Sequence, residues 1–162
     1  MKPDFDDLII DLEAKLDRNK FDKGLLIEES FTLWYVLVED MPCDEFNEID
    51  IQNLLMRNVK IYHGSFSEDA DFSFIMGWMI NVAFWYFDPV LNEQDGNRLL
   101  QKAYSLDPGN SLFKWAVRKE LRMGELDIMS LRIDIELRYN QFYNYGSLLK
   151  EYFLEIIDAP QI

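Results

Sequence analysis

Apolar residues recur along this chain at helical spacing. Phe5, Leu8, Ile9, Leu12 and Leu16 fall at i, i+3, i+4, i+7 and i+11, a single helix face. Asp4, Asp6 and Asp7 stand at its start, where the helix dipole favours negative charge. After Gly24, residues 25–38 read as a second helix with Phe31, Trp34, Tyr35 and Val38 on one side, stopped by Met41-Pro42. Asp44 is the predicted N-cap of a third helix carrying Phe46, Ile49, Leu54 and Leu55, which residues 58–62 end or extend. His63-Gly64-Ser65 reads as a break, with Ser65 (three residues before Glu68) or Ser67 as the next cap.

Residues 72–87 carry no charge. As a helix they span roughly 24 Å, short of a hydrocarbon core of about 30 Å. Glu68, Asp69, Asp71 and Asp88 flank them without Lys or Arg, unlike a membrane anchor. The stretch is therefore predicted to be a buried central helix ending at Asp88-Pro89. Beyond it come a helix over Glu93–Leu106, the turn 107–110 and a helix over 111–123 closed by Gly124. Residues 128–140 read as helical, although Ile133 and Ile135 alternate as in a strand. Residues 139–146 read as a polar-aromatic loop or frayed helix end, and Ser147 as the cap of a last helix to Ile157. The expectation is an all-α, single-domain bundle of about seven to eight helices over residues 1–162. Ala103-Tyr104-Ser105-Leu106-Asp107-Pro108-Gly109-Asn110 resembles the junction between two tetratricopeptide units. That resemblance implies a helical hairpin in the C-terminal half; no second copy occurs at a 34-residue period.

Hydrophobic residues make up 49% of the chain and aromatics 15%, enough for a core and unlike a disordered acidic tail. Cys43 is the sole cysteine, so no internal disulfide can form. The start, Met1 to Asp7, is acidic where a secretory signal would be basic and then apolar. These features predict a cytoplasmic protein. The formal charge of −14 is uneven: between Lys23 and Arg98 fourteen acids face only Arg57 and Lys60. Nucleic-acid binding draws on Lys and Arg, so this balance disfavours it. Lys114, Arg118, Lys119 and Arg122 form a short basic stripe, read as a solvated face paired with Glu120 and Glu125 or as a second contact surface.

Catalytic equipment is hard to find. His63 is the only histidine and sits beside Gly64 as a turn residue. Asp44 and Glu45 beside Cys43 would raise its thiol pKa and blunt it as a nucleophile. A calcium loop centred on Gly96 would need ligands at Leu91 and Lys102, so that pattern fails, and no glycine-rich phosphate loop exists. The reading is a non-enzyme without metal or cofactor.

The densest acidic run is residues 39–50, with Glu39, Asp40, Asp44, Glu45, Glu48 and Asp50 and no base. With a helix over 44–48, Asp44 and Glu48 become like-charged i, i+4 neighbours, and Glu39 and Asp40 sit at a helix C-terminus the dipole disfavours. The acids at the start of the third helix are partly offset by its dipole, so helix stability explains some of the cluster but not the whole. The cluster serves either solubility or docking of a basic protein. Asp69-Ala70-Asp71-Phe72-Ser73-Phe74-Ile75-Met76-Gly77-Trp78-Met79-Ile80, continuing to Phe84-Trp85-Tyr86-Phe87, is an acidic entry to an aromatic, glycine-containing helix. Over those twenty or so residues the chain resembles helical bacterial immunity proteins, which neutralise the toxic C-terminal domain of contact-dependent or polymorphic toxins. The resemblance implies a stoichiometric inhibitor of a cognate, basic toxin domain such as a nuclease. Glu39, Asp40, Asp44, Glu45, Glu48 and Asp50 would face its Lys and Arg, and Tyr143 and Tyr145 would serve as exposed anchors. The alternative is a tetratricopeptide-like adaptor or secretion chaperone that binds a peptide.

Overall fold

The computed structural model describes residues 3–142 and 145–159, with residues 138–142 as backbone. Eight α-helices follow in order: α1 Phe5–Arg18, α2 Lys23–Val38, α3 Glu48–Ile61, α4 Ala70–Ala83, α5 Glu93–Leu106, α6 Ser111–Ala116, α7 Glu125–Phe142 and α8 Ser147–Asp158. No strand occurs among the described residues. Short polar side chains set most of the N-termini. Asp4, Asp22, Asn47, Asp69, Asn92 and Asn110 each accept a backbone N–H of the first turn they precede. At α3 and α5 the cap is reciprocal, with Asp50 and Asp95 returning to the cap residue's own N–H.

Local capping chemistry also corrects several expected boundaries. Asn47, not Asp44, caps α3, and Asp69, not Ser65 or Ser67, caps α4. Residues 62–66 do not break the chain; they continue α3 as a π-helical turn on which His63 is exposed. Ser147 is the first residue of α8 and follows Gly146, whose φ of 92° excludes an ordinary cap. The helix expected over 111–123 stops at Ala116. There Arg118 Nη1 donates to the Trp115 carbonyl at 2.9 Å, and Arg122 turns the chain with φ 52°.

Helix α2 is buried around most of its circumference, not along one side, because α1, α3, α4 and α8 all pack on it. Helix α4 is buried to the same degree, as the uncharged run after Asp71 predicts. It ends at Ala83, however, and a 3-10 turn over Phe84–Tyr86 follows, short of the expected stop at Asp88-Pro89. The aromatic core joins α2, α4, α6 and α8. Phe74 stacks on Phe113 at 4.8 Å, Trp78 on Trp115 at 5.7 Å, and Phe31 meets Tyr152 edge-on at 5.1 Å. Two indoles are satisfied inside it: Trp34 Nε1 donates to Met79 O and Trp78 Nε1 to the Tyr152 hydroxyl. On α7, Ile128, Leu131 and Ile135 pack inward, while Leu126, Met129, Ile133 and Leu137 remain exposed. That two-sided apolar pattern produced the strand-like alternation at 133–135.

Candidate functional site

The acidic run 39–50 is the junction between α2 and α3. Helix α2 ends in a left-handed cap: Asp40 has φ 48° and Met41 N donates to Val36 O at 3.0 Å. The chain then crosses the start of α1. There the Asp6 carboxylate accepts Asp44 N at 2.7 Å and Glu45 N at 3.1 Å. This clamp holds 44 and 45 outside the helix, so the like-charged Asp44–Glu48 helical pair expected above does not form. It also brings α1's acids to the same edge. Cys43 is half-buried there; burial, then the Asp6 and Asp4 carboxylates, push its thiol pKa up.

All six acids of the run are exposed. Asp50 closes the α3 capping box, and Asp40 carries the left-handed cap. Glu39, Asp44, Glu45 and Glu48 form no salt bridge among the described residues. A groove of about 490 Å³ opens beside them, with Leu37, Asp40, Pro42, Phe46, Glu48 and Tyr86 in its wall. The residues after α4 complete that wall. Tyr86 OH donates to Leu37 O, and Gln52 Nε2 donates to Tyr86 O. The same turn exposes Trp85 by 56%, and Ile49 on α3, expected in the core, is 68% exposed. Sequence reasoning did not mark either as exposed, since Ile49 fits an apolar helix face and Trp85 sits inside an uncharged run.

Five of the remaining acids between Lys23 and Arg98 are differently placed, each paired with a cation. Lys23 pairs with Asp69 at 3.0 Å and with Asp71 at 3.6 Å, Lys102 with Glu68 at 2.6 Å, and Arg98 with Asp95 at 2.8 Å. Arg57 grips Glu13 with two bonds, of 2.6 and 3.1 Å, and also donates to Glu29 at 2.8 Å. Glu29 is fully buried and takes a second bond from Asn58 Nδ2. Burial and the neighbouring Glu13 carboxyl push its pKa up to about 8, whereas Arg57 holds Glu13 below the usual carboxylate range. This set is a half-buried polar network, with Glu29 and Asn58 at its buried end, tying α1, α2 and α3 together.

Of the two expected aromatic anchors, Tyr145 does not join the acidic edge. Tyr143 lies outside the described residues. Tyr145 is half-buried; its hydroxyl donates to Asp71 Oδ2 at 2.5 Å and its ring lies against Gly24. Gly24 and Glu39 stand at opposite ends of α2, about 22 Å apart at 1.5 Å per residue. The basic residues 114–122 do not form one helical stripe either, because α6 has ended. Among the described residues, no group of His, Cys, Asp and Glu is arranged to hold a metal ion, and no helix is long and apolar enough to cross a membrane. Compared with known proteins, the chain matches no family model, no curated protein and no solved structure.

Proposed function

We propose that this protein is a stoichiometric inhibitor of the immunity type, which binds a cognate basic toxin domain through the α2–α3 edge. One observation carries the reading. Of the eight other acids in the one-signed region, Glu29, Glu68, Asp69, Asp71 and Asp95 pair with a cation, Glu28 is half-buried, and Asp88 and Glu93 are exposed. Glu39, Asp44, Glu45 and Glu48 instead gather within ten residues of one junction, facing solvent without a cation. Ordinary stability gives no reason to gather like charges on one edge and clamp them there with another acid. Recognition of a cationic surface does, since complementary charge raises encounter rates and selects partners. The carboxylates would stand in for the phosphates of a nuclease substrate, and Trp85 and Ile49 supply the apolar contact that charge alone lacks. Inhibition by occupancy needs no catalytic group. The tetratricopeptide-like alternative relies on stacked pairs of long helices, and α6 has six residues.

The test uses the toxin domain that this reading expects to be encoded beside the protein's gene. Glu39→Gln, Asp44→Asn, Glu45→Gln and Glu48→Gln combined should slow association by about ten- to a hundredfold at low salt and flatten its salt dependence. Trp85→Ala should act mainly on dissociation. Association rates unchanged by the fourfold variant would sink the acidic-edge reading, and failure to protect cells from that toxin would sink the immunity reading.

A further inference from the structure

At the far end of the chain the charge pattern inverts. Arg118, Lys119, Arg122 and Arg132 line a groove of about 620 Å³ between the turn after α6 and the first half of α7. Ile128 and Met129 give it an apolar wall, and Glu125 is the acid that lines it. Arg118 is fixed: its guanidinium stacks over the Trp115 ring at 4.2 Å while donating to the Trp115 carbonyl. Burial, then the positive charge of Arg132, lower its pKa. Two guanidiniums are thus held near one another in a partly desolvated place, with Lys119 and Arg122 adding charge of the same sign.

The sharper observation is at Arg132. Its Nε and Nη2 are both buried and have no hydrogen-bond acceptor. Those two atoms form one edge of the guanidinium, where two N–H bonds point the same way and match the two oxygens of a carboxylate or phosphate. Buried donors in native proteins are ordinarily satisfied, so an empty fork among like charges marks the place of a missing acceptor. Lys119, Arg122 and Arg132 form no salt bridge among the described residues, although this is a strongly acidic chain.

We propose that this groove is a binding site for a small organic oxyanion, a carboxylate or phosphate group carried on an apolar body. The head group accepts both N–H bonds of the Arg132 fork, and Lys119 and Arg122 attract it. Ile128 and Met129 pack against the apolar part, where the exposed stripe of α7 begins. Met123, Met129 and Lys119 have unbranched stems that rotate aside readily, which gives an entering anion access to a fork that is now covered. The site is independent of the α2–α3 edge, so its failure leaves the inhibitor reading standing.

Phenyl phosphate and benzoate serve as probes of the two head groups, added to the full chain while the Arg132 Nε–H and Trp115 Nε1–H resonances are followed. Saturable shifts are expected with at least one probe and none with sodium chloride at matched ionic strength. Arg132→Met keeps the stem and should weaken binding by about tenfold or more, and Arg132→Lys should not restore it, because an ammonium has no fork. Glu39→Gln should bind like the parent. Circular dichroism checks that each variant is folded, and Arg132→Gln replaces any that is not. Shifts that track ionic strength alone overturn the proposal, as does binding by folded Arg132 variants within about twofold of the parent. The stronger probe identifies the head group.

Discussion

Asp40 serves two ends that conflict. Its φ of 48° lies in the left-handed region, where a side chain costs roughly 1 kcal/mol that glycine avoids. Asp40→Gly is therefore expected to raise unfolding stability by about 0.5–1 kcal/mol in urea titration, an unusual gain from a glycine. A loss would mean the carboxylate itself supports the cap. Glu29 presents the opposite case, an acid that is wholly buried. Its pKa rises from 4.5 to about 8, so across that window the folded chain keeps a proton that the unfolded chain releases. The stabilisation is complete below the unfolded value and is lost as pH rises toward 8. Glu13, held low by Arg57, contributes in the other direction and loses its share only in acid. Wild-type urea midpoints should fall between about pH 5 and about pH 9, and Glu29→Gln should flatten that fall. An equal fall in the variant would place the pH dependence elsewhere.

Among the elements, α4 and α5 make the closest approach, and two glycines permit it. A Cβ on Gly77 would lie 2.8 Å from Leu100 N and 2.9 Å from Gly96 O; one on Gly96 would lie 2.7 Å from Asn81 N. The obstacles are backbone atoms, which cannot rotate away. Gly77→Ala and Gly96→Ala should each destabilise by about 1–3 kcal/mol, with the double variant costing less than the two together because they relieve one contact. Two alanine variants within about 0.5 kcal/mol of the parent in denaturant would rule out this packing. Gly77 stands out in the sequence as the one glycine of the uncharged run 72–87. Gly96 was legible only as the centre of a calcium loop that lacks its ligands, because its partner lies nineteen positions away on another helix. Helix α6 shows the same limit. Residues 117–123 have helical composition, and the helix ends early through the Arg118 bond to Trp115 and the Arg122 turn.

Across the whole protein, whose formal charge is −14, like charges gather at the acidic edge of α2–α3 and in the basic groove beside α7. Glu39, Asp44, Glu45 and Glu48 at the one and Lys119, Arg122 and Arg132 at the other form no salt bridge among the described residues. Gathering acids at α2–α3 adds self-repulsion, which salt screens over about 10 Å at 0.1 M. Neutralising Glu39, Asp44, Glu45 and Glu48 together should therefore raise the melting temperature at low salt, by a margin that shrinks as salt increases. Glu48 partly opposes the trend, because it lies in the first turn of α3 where the dipole favours it. A fourfold variant less stable than the parent at low salt would mean the acids serve the fold.

Short-range features carried most of what could be read in advance. The 3.6-residue periodicity, Asp and Asn before helix starts, and an uncharged aromatic run too short for a membrane specify an all-helical chain with α4 inside it. They also locate the excess of acids at residues 39–50. Which acids stay exposed is a different kind of information. Asp6 clamps Asp44 and Glu45 from 38 and 39 positions away, Arg57 reaches back 44 and 28 positions to Glu13 and Glu29, and Tyr145 crosses 74 to Asp71. Helical spacing encodes neighbours within one or two turns and is silent about partners on other elements. The composition could therefore announce a charged surface, while the packing of α1 to α4 selected the carboxylates that make it up.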